Sequence, residues 1–485
     1  MNVIFCDFDD VEWLPVLKKI SQIRNFNHVH IIDRTKFTNE SKSFFKKLSV
    51  INVSDAITNK LKVEKVKKCK INKKYFDKNF KIYCEMIKRF DPLNSLNLKE
   101  KKKNYYKTIN FWLNFLTQNK ISLFFSKTTP HQVYDYIIYL CCKYLKIKTI
   151  FFGIFYLKNY CYLIQDINER NIYTKLHSKK FPSRNFKIFK MLKRRVNKEF
   201  KVAKPQYIKN IEYNNFTYLK FISLNILKLF FVIMSFKFLK KSKETIFYPK
   251  SQFDIFYKSV LFEKVLTIRS IINKFFMQRF YQKNSQKIDF NKNYVFFASQ
   301  FQPESTNCPE GGEYSEIIKT LKIISKNIDK KYYIYYKENP ATFHPNPLYL
   351  SDRIKNINFY KELKKIKNLK FLELSSDTYK LIDNAKCTIT VAGQIGFECI
   401  LKKRKCVVFS NIWYKDSKYI LNYSKKNFNN KLDKFISSDV KNDNFFKNFT
   451  YFLDSSLNSK AIQSPSVLKS KKEISKNVLY ILKHI

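Results

Sequence analysis

Cys387-Thr388-Ile389-Thr390-Val391, then Ala392-Gly393-Gln394-Ile395-Gly396-Phe397-Glu398, then Cys399-Ile400-Leu401 is the stretch that decides the fold. An apolar, β-branched run ends at a glycine turn and continues with helical periodicity, the signature of a strand feeding a helix. The same unit recurs on both sides of it. Strands are expected over 294–297, 332–336, 369–372, 387–391 and 406–409, and helices over 314–327, 353–366, 378–384 and 396–403. Alternation of this kind within about 116 residues predicts a doubly wound parallel sheet.

The N-terminal half repeats the pattern less cleanly. Strands are expected over 3–5, 29–32, 121–125 and 149–152. Helices are expected through Trp13, Leu14, Val16 and Leu17, over 106–116 and over 132–144. Residues 121–152 read as a βαβ unit, which requires parallel strands. A lysine-rich stretch over 55–105 is weakly patterned, and 171–290 is helical and strongly basic. The chain therefore divides into an α/β domain over 1–170, a connecting region over 171–290, a second α/β domain over 291–430 and a helical segment over 431–485.

In open α/β sheets, ligands bind beyond the carboxyl ends of the strands. The unusual residues of the second domain gather there. Gln300-Phe301-Gln302-Pro303-Glu304-Ser305-Thr306 and then Pro309-Glu310-Gly311-Gly312 follow the first strand, and Lys337-Glu338-Asn339-Pro340 the second. Ser375-Ser376-Asp377 follows the third, Gly393 to Glu398 the fourth, and Ser410-Asn411-Ile412-Trp413-Tyr414 the fifth. Four of the chain's 5 glycines lie in two of these loops.

Each residue has two readings. The Gly393-Gln394-Ile395-Gly396 turn, with Glu398 just inside the helix, offers backbone N–H groups and a helix dipole to phosphate. The other reading is a tight turn in which Gly396 permits helix–sheet contact. Of Ser375 and Ser376, one caps the helix and the other is free for phosphate. Lys337 either points its ammonium at the same edge or is a solvated strand-end lysine. Glu338 either accepts from ribose or base or pairs with Lys337. Glu304 is the carboxylate best placed for proton abstraction, with turn stabilisation as the alternative.

In the N-terminal half, Thr129 is a helix N-cap candidate and Pro130 suits the first helical position. His131 then lies in the first turn with Asp135 on the same face, a carboxylate that would orient an imidazole acting as base. The alternative is a helix-surface His/Asp pair. Asp7, Asp9 and Asp10 form one acidic turn, and no metal or cofactor is expected.

The formal charge of +54, from 93 Lys+Arg against 39 Asp+Glu, suggests nucleic acid or an anionic membrane. The lysines are spread along a chain rich in Asn, Ile, Phe and Tyr, so the bias of an AT-rich genome explains more of the excess. No nucleic-acid motif accompanies it. The 10 cysteines show no metal spacing and fit reduced thiols in the cytosol. The N-terminus reads as a strand, not a signal peptide. No uncharged run reaches the ~18–20 residues of a membrane span. The nearest, 216–239, carries Lys220, Lys228 and Lys237 and reads as an amphipathic helix buried between domains, or alternatively lying on a membrane.

The run from Tyr294 to Tyr414 resembles the capsular polysaccharide synthesis family, which includes transferases of the acidic sugar Kdo. The resemblance rests on Gln302-Pro303-Glu304-Ser305-Thr306, Lys337-Glu338-Asn339-Pro340, Ser375-Ser376, Gly393 to Glu398 and Trp413-Tyr414, in that order, and covers about a quarter of the chain. Thr129-Pro130-His131 is similar more faintly. The resemblance implies two Rossmann-like domains facing a cleft, the GT-B arrangement, with a nucleotide-sugar donor in the C-terminal domain and a glycan or lipid-linked glycan acceptor on the N-terminal side. It implies metal-independent transfer, from a CMP-activated acidic sugar in several members, by a cytoplasmic enzyme at the inner face of the membrane. Lys337, Glu338, Asn339, Ser375, Ser376, Gly393, Gln394, Gly396 and Glu398 would bind the donor, with Glu304 or His131 as base. The family's His-Pro pair is matched by Asn339-Pro340, and asparagine donates a hydrogen bond without carrying charge. His344-Pro345 lies five residues on. Competing readings are a nucleotide-sugar epimerase on the same fold and a non-catalytic nucleic-acid-binding or assembly-scaffold protein.

Overall fold

A computed structural model describes residues 1–8, 11–33, 43–58, 71–91, 93–94, 96–154, 160–168, 213–237, 246–247, 255–256, 260–346, 349–440, 457–458 and 470–485. Asp9, Asp10 and half of the expected connecting region lie outside them.

The first sheet contains β1 (Asn2–Cys6), β2 (His28–Asp33), β3 (Leu48–Asn52), β4 (Ile121–Ser126), β5 (Lys148–Ile154) and β6 (Tyr160–Ile164). A short antiparallel pair follows, β7 (Ile246–Phe247) with β8 (Ile255–Phe256). The second sheet contains β9 (Ser285–Gln286), β10 (Tyr294–Ala298), β11 (Tyr333–Lys337), β12 (Leu369–Leu372), β13 (Thr388–Thr390), β14 (Cys406–Val408) and β15 (Ile420–Asn422). Finally β16 (Leu457–Asn458) returns to the first sheet.

Strand order in the first sheet is β16-β6-β5-β4-β1-β2-β3, and in the second β15-β14-β13-β10-β11-β12-β9. All pairings in the second sheet are parallel. In the first, β3 to β5 around β1 are parallel, while β6 and β16 close the edge antiparallel. Both sheets reverse direction beside their first buried strand, between β1 and β4 and between β10 and β13. The protein thus has two Rossmann-like doubly wound domains, each with one topological switch point.

The strands are continuous apolar runs because both faces are covered. Val3, Phe5, Leu123 and Phe125 pack on one side of the first sheet with Trp13 and Leu17, while Ile4 and Phe124 face the other. Val478 and Ile481 of the helix Lys471–Leu482 join the first group, so the C-terminal segment packs on the N-terminal domain. The Tyr480 hydroxyl, 3.2 Å from the Leu163 N–H, ties it to β6.

Several elements depart from expectation. The helix expected over 106–116 runs Leu98–Gln118, because Asn97 and Glu100 close a capping box ahead of the apolar period. Helices Lys73–Asp77 and Phe80–Ile87 occupy the weakly patterned stretch. The apolar helix Asn215–Met234 is not buried between domains. It buries Tyr218, Asn225 and Val232 and exposes most of the rest.

Candidate active site

The carboxyl ends of the two sheets meet. Thr129, in the loop after β4, donates to Glu310 Oε1 across the interface at 3.0 Å. Ser410, after β14, donates to the Glu310 carbonyl at 2.7 Å. Cys308 Sγ lies 3.6 Å from the Ile82 carbonyl, and Arg353 donates to the Arg89 carbonyl. Both switch points therefore open onto one shared cleft.

On the N-terminal side, Asp7 directly follows β1 with φ of 60°, a left-handed conformation that Asp tolerates better than most residues. Its carboxylate accepts from the Tyr134 hydroxyl at 3.1 Å and from Thr128 at 3.4 Å. Asp135 is fully buried. Burial, then the neighbouring Asp7 charge, pushes its carboxyl well above the usual range, although the Arg89 guanidinium pulls the other way. Its Oδ1 has no hydrogen-bond partner.

The expected relation between His131 and Asp135 is corrected here. The helix runs Val133–Tyr144 with Gln132 as N-cap, so Thr129, Pro130 and His131 all lie in the preceding loop. Asp135 Oδ2 accepts from the backbone N–H of His131 at 3.0 Å. The imidazole is oriented instead by the Thr129 carbonyl, 2.8 Å from Nδ1. With Nδ1 donating, Nε2 is the lone-pair nitrogen and faces Gln132 Nε2 at 3.1 Å. Ligand-type atoms of Asp7, His131 and Asp135 lie within 4.8 Å of one another, the set among the described residues that could hold a cation. Arg89 already supplies positive charge beside Asp135, and Asp7 already accepts two hydrogen bonds.

Arg89, which the sequence did not single out, is buried at this junction, with Nη2 lacking a hydrogen-bond partner. Burial lowers its pKa, against the opposing influence of Cys308, Asp135 and Glu304. Across the cleft, Glu304 accepts from Thr306 at 3.4 Å. Burial raises its pKa to about 7, against the lowering by the Thr306 hydroxyl; the Glu310 charge adds to the rise, and Arg89 and Lys355 oppose it more weakly. A carboxyl that titrates near neutrality suits proton transfer.

The other expected site residues are held mainly within the C-terminal domain. Glu338 does not pair with Lys337. Its Oε1 accepts from Asn339 N–H at 2.8 Å, Thr342 at 3.2 Å and Lys355 at 2.8 Å; its Oε2 accepts from Tyr336 at 2.7 Å and Tyr360 at 2.9 Å. No capacity remains for ribose or base. Lys337 donates to the Ser376 carbonyl at 2.6 Å and to Thr378 at 2.8 Å, fastening the loop after β12 to β11. The cap of the helix Thr378–Asn384 is Asp377, not a serine. Ser375 is exposed, 3.3 Å from Glu373 Oε2. Asn339 caps the turn Pro340–Phe343. His344 is a packed, neutral histidine: burial lowers its pKa to about 4, and its ring stacks on Tyr349 at 4.5 Å.

The glycine turn follows its packing reading. A Cβ at Gly396 would lie 2.4 Å from the Tyr414 hydroxyl, which donates to the Gly393 carbonyl. Gln300 bridges the switch point, accepting from the Ala392 N–H at 3.1 Å. Gln394 is exposed beside it, and burial raises Glu398 to about 7. Gly396→Val should therefore cost ~1–3 kcal/mol through overpacking against Tyr414. Chemical denaturation checks this. Adding Tyr414→Ala should recover part of the loss, and a Gly396→Val variant as stable as the parent would show that the ring can move.

No protein-family profile matches the sequence, and no curated protein matches it significantly. Solved structures are similar. KpsC of Thermosulfurimonas dismutans, a beta Kdo 2,7 transferase, has 7% identity over 93% of this chain and 90% of that chain, with TM-score 0.31. The UDP-GlcNAc 2-epimerase of Methanocaldococcus jannaschii has 12% identity over 93% and 97%, with TM-score 0.22. A glycosyltransferase from Rickettsia africae has 12% identity over 99% and 98%, with TM-score 0.23. At these TM-scores the likenesses carry no argument, and the two-domain fold class rests on the two sheet orders.

Proposed function

We propose that the protein is a glycosyltransferase that moves a sugar from a nucleotide donor to a glycan or lipid-linked glycan acceptor, with both substrates meeting in the interdomain cleft. The observation that carries this reading is the meeting of two switch points around Glu304, His131 and Arg89. Glu304 takes the proton of the acceptor hydroxyl as that oxygen bonds to the anomeric carbon. The bond from that carbon to the donor phosphate breaks, and its electron pair leaves on the phosphate oxygen. Arg89, with an open N–H in a buried site, stabilises the departing anion or an acidic sugar, the planar ligands for which guanidinium is suited. Water exclusion makes such a charge count for more than it would in solvent. The donor class is a nucleotide-activated acidic sugar, in line with the Kdo-transferase resemblance, and the cytoplasm is the matching compartment. The nine described cysteines, none of them in a disulfide, fit a reducing one.

A thermal-shift screen with CMP, UDP, GDP and their sugars tests the donor. A ligand at about 100 times its dissociation constant adds ~2.7 kcal/mol. Arg89→Gln should shrink that shift at the same ligand concentration. The absence of any nucleotide-dependent shift would overturn the reading. Release of an isomer from a nucleotide sugar without acceptor would reassign the protein as an epimerase.

A further inference from the structure

The helix Asn215–Met234 buries Tyr218, Asn225 and Val232, spaced by seven so that they form one seam. This seam faces the helix Val260–Asn284. The Tyr218 hydroxyl donates to the Phe343 carbonyl at 2.5 Å and lies 3.3 Å from Gln278 Oε1. The second helix is in turn fixed to the C-terminal domain, by Lys274 to the Asn346 carbonyl at 3.0 Å and by Tyr281 to the Leu372 carbonyl at 2.7 Å.

Away from the seam the first helix is apolar and open to solvent. Phe216 is 74% exposed, Phe231 67% and Met234 63%, and Leu219, Leu227 and Phe230 are exposed as well. At about 100° per residue these positions cluster within roughly a third of the circumference, on the side opposite the seam. Soluble monomers rarely leave so much contiguous apolar surface open without a use for it. The only ionisable side chains in 215–237 apart from Tyr218 are Lys220, Lys228 and Lys237, all exposed, and Lys240, Lys241 and Lys243 follow in the sequence. An apolar face studded with lysines and lacking acids complements an anionic, lipid-like partner.

The helix has the length and hydropathy to cross a bilayer, with a mean hydropathy of 1.7 over 18 residues. Its packing argues for another placement. It lies alongside a helix that carries Glu263, Lys264, Arg269 and Arg279 and is itself bound to the domain, so spanning would draw those charges into hydrocarbon.

We propose that this helix is a docking surface for an anionic phospholipid bilayer. It lies in the interface, with its open apolar side among the acyl chains and its lysines at the headgroups. Tyr218 ties it to Phe343, in the loop after β11 at the edge that faces the cleft, so docking would present the cleft to an acceptor carried on a lipid. Only that acceptor source rests on the transferase reading. Vesicle binding is measured without turnover, so failure of one reading is distinguishable from failure of the other.

The test is sedimentation of the full chain with vesicles of phosphatidylcholine alone or with about a quarter phosphatidylglycerol. Binding should be about tenfold stronger to the anionic vesicles and weaken at high salt. Phe230→Glu/Phe231→Glu should lower it about tenfold or more, and Lys220→Glu/Lys228→Glu should remove the preference for anionic lipid. These side chains are exposed, so both variants should melt like the parent. Unchanged binding by Phe230→Glu/Phe231→Glu, or no binding by the parent, would overturn the proposal. So would a lipid-free dimer that this variant dissociates, because a second copy would then cover the face.

Discussion

Glu304→Gln is expected to lower turnover by about 10²-fold or more, with donor affinity held within about twofold. The amide keeps the shape of the side chain but cannot accept the acceptor's proton. Glu304 ranks ahead of His131 because the imidazole already donates Nδ1 to Thr129 and faces Gln132 with Nε2. Turnover of the parent should rise with pH through about 7, where Glu304 ionises, and the Gln variant should lose that rising limb. Stability supplies an independent check. The native pKa of about 7 exceeds the ordinary 4.5, so the folded state binds the extra proton between these values. Stability from this group is therefore fully present below about 4.5 and is lost as pH rises through about 7. The Gln variant should melt no lower than the parent at pH 8. If turnover and its pH profile were unchanged in the variant, Glu304 would not be the base.

The second sheet was legible because its strands are buried on both faces and read as apolar runs ended by polar loops. Residues 387–401 alone contain a strand, its turn and its helix. What escaped notice was short or exposed. Ser285–Gln286 and Ile420–Asn422 are edge strands of two and three residues, too brief for a periodic signal. The first turns of Leu98–Gln118 are lysines without apolar spacing, and only the Asn97/Glu100 box marks their start. For the helix Asn215–Met234, hydropathy identified the element but not its exposure, which depends on what packs around it.

The site was harder to read because its chemistry is made across the chain. Glu304 and His131 were legible from their loops. Arg89 was hidden in a lysine-rich stretch; folding of the N-terminal domain sets it beside Asp135, and only the contact between domains brings it near Glu304. Local spacing misassigned Glu338, whose partners include Lys355 and Tyr360, 17 and 22 positions away. The same limit applies to Gly396, whose neighbour Tyr414 comes from the next strand's loop.

Lys355→Met is expected to destabilise the protein by ~3–5 kcal/mol, the cost of leaving a buried charge without its partner. Lys355 and Glu338 side chains are both 0% exposed, and Nζ lies 2.8 Å from Oε1. The same ammonium donates to Ser299 at 2.9 Å and to the Gln300 carbonyl at 3.0 Å. Methionine fills the space but leaves Glu338 ionised among neutral donors. Burial alone would raise the Glu338 pKa; the ammonium and the hydroxyl donors overcome this and hold it below the ordinary value. The sign follows from that depression: the stability it contributes is present above about 4.5 and is lost as pH falls through the lower native pKa. The Lys355→Met penalty, measured by chemical denaturation, should accordingly shrink in acid. Adding Glu338→Gln should restore ~1–3 kcal/mol, because the two sites share one interaction. Lys355 also fixes Ser299 and Gln300 at the switch point, so the single variant should show a smaller nucleotide-dependent thermal shift than the parent at the same ligand concentration. A loss under about 1 kcal/mol would place the pair in the range of solvated ion pairs and remove its role in holding that loop.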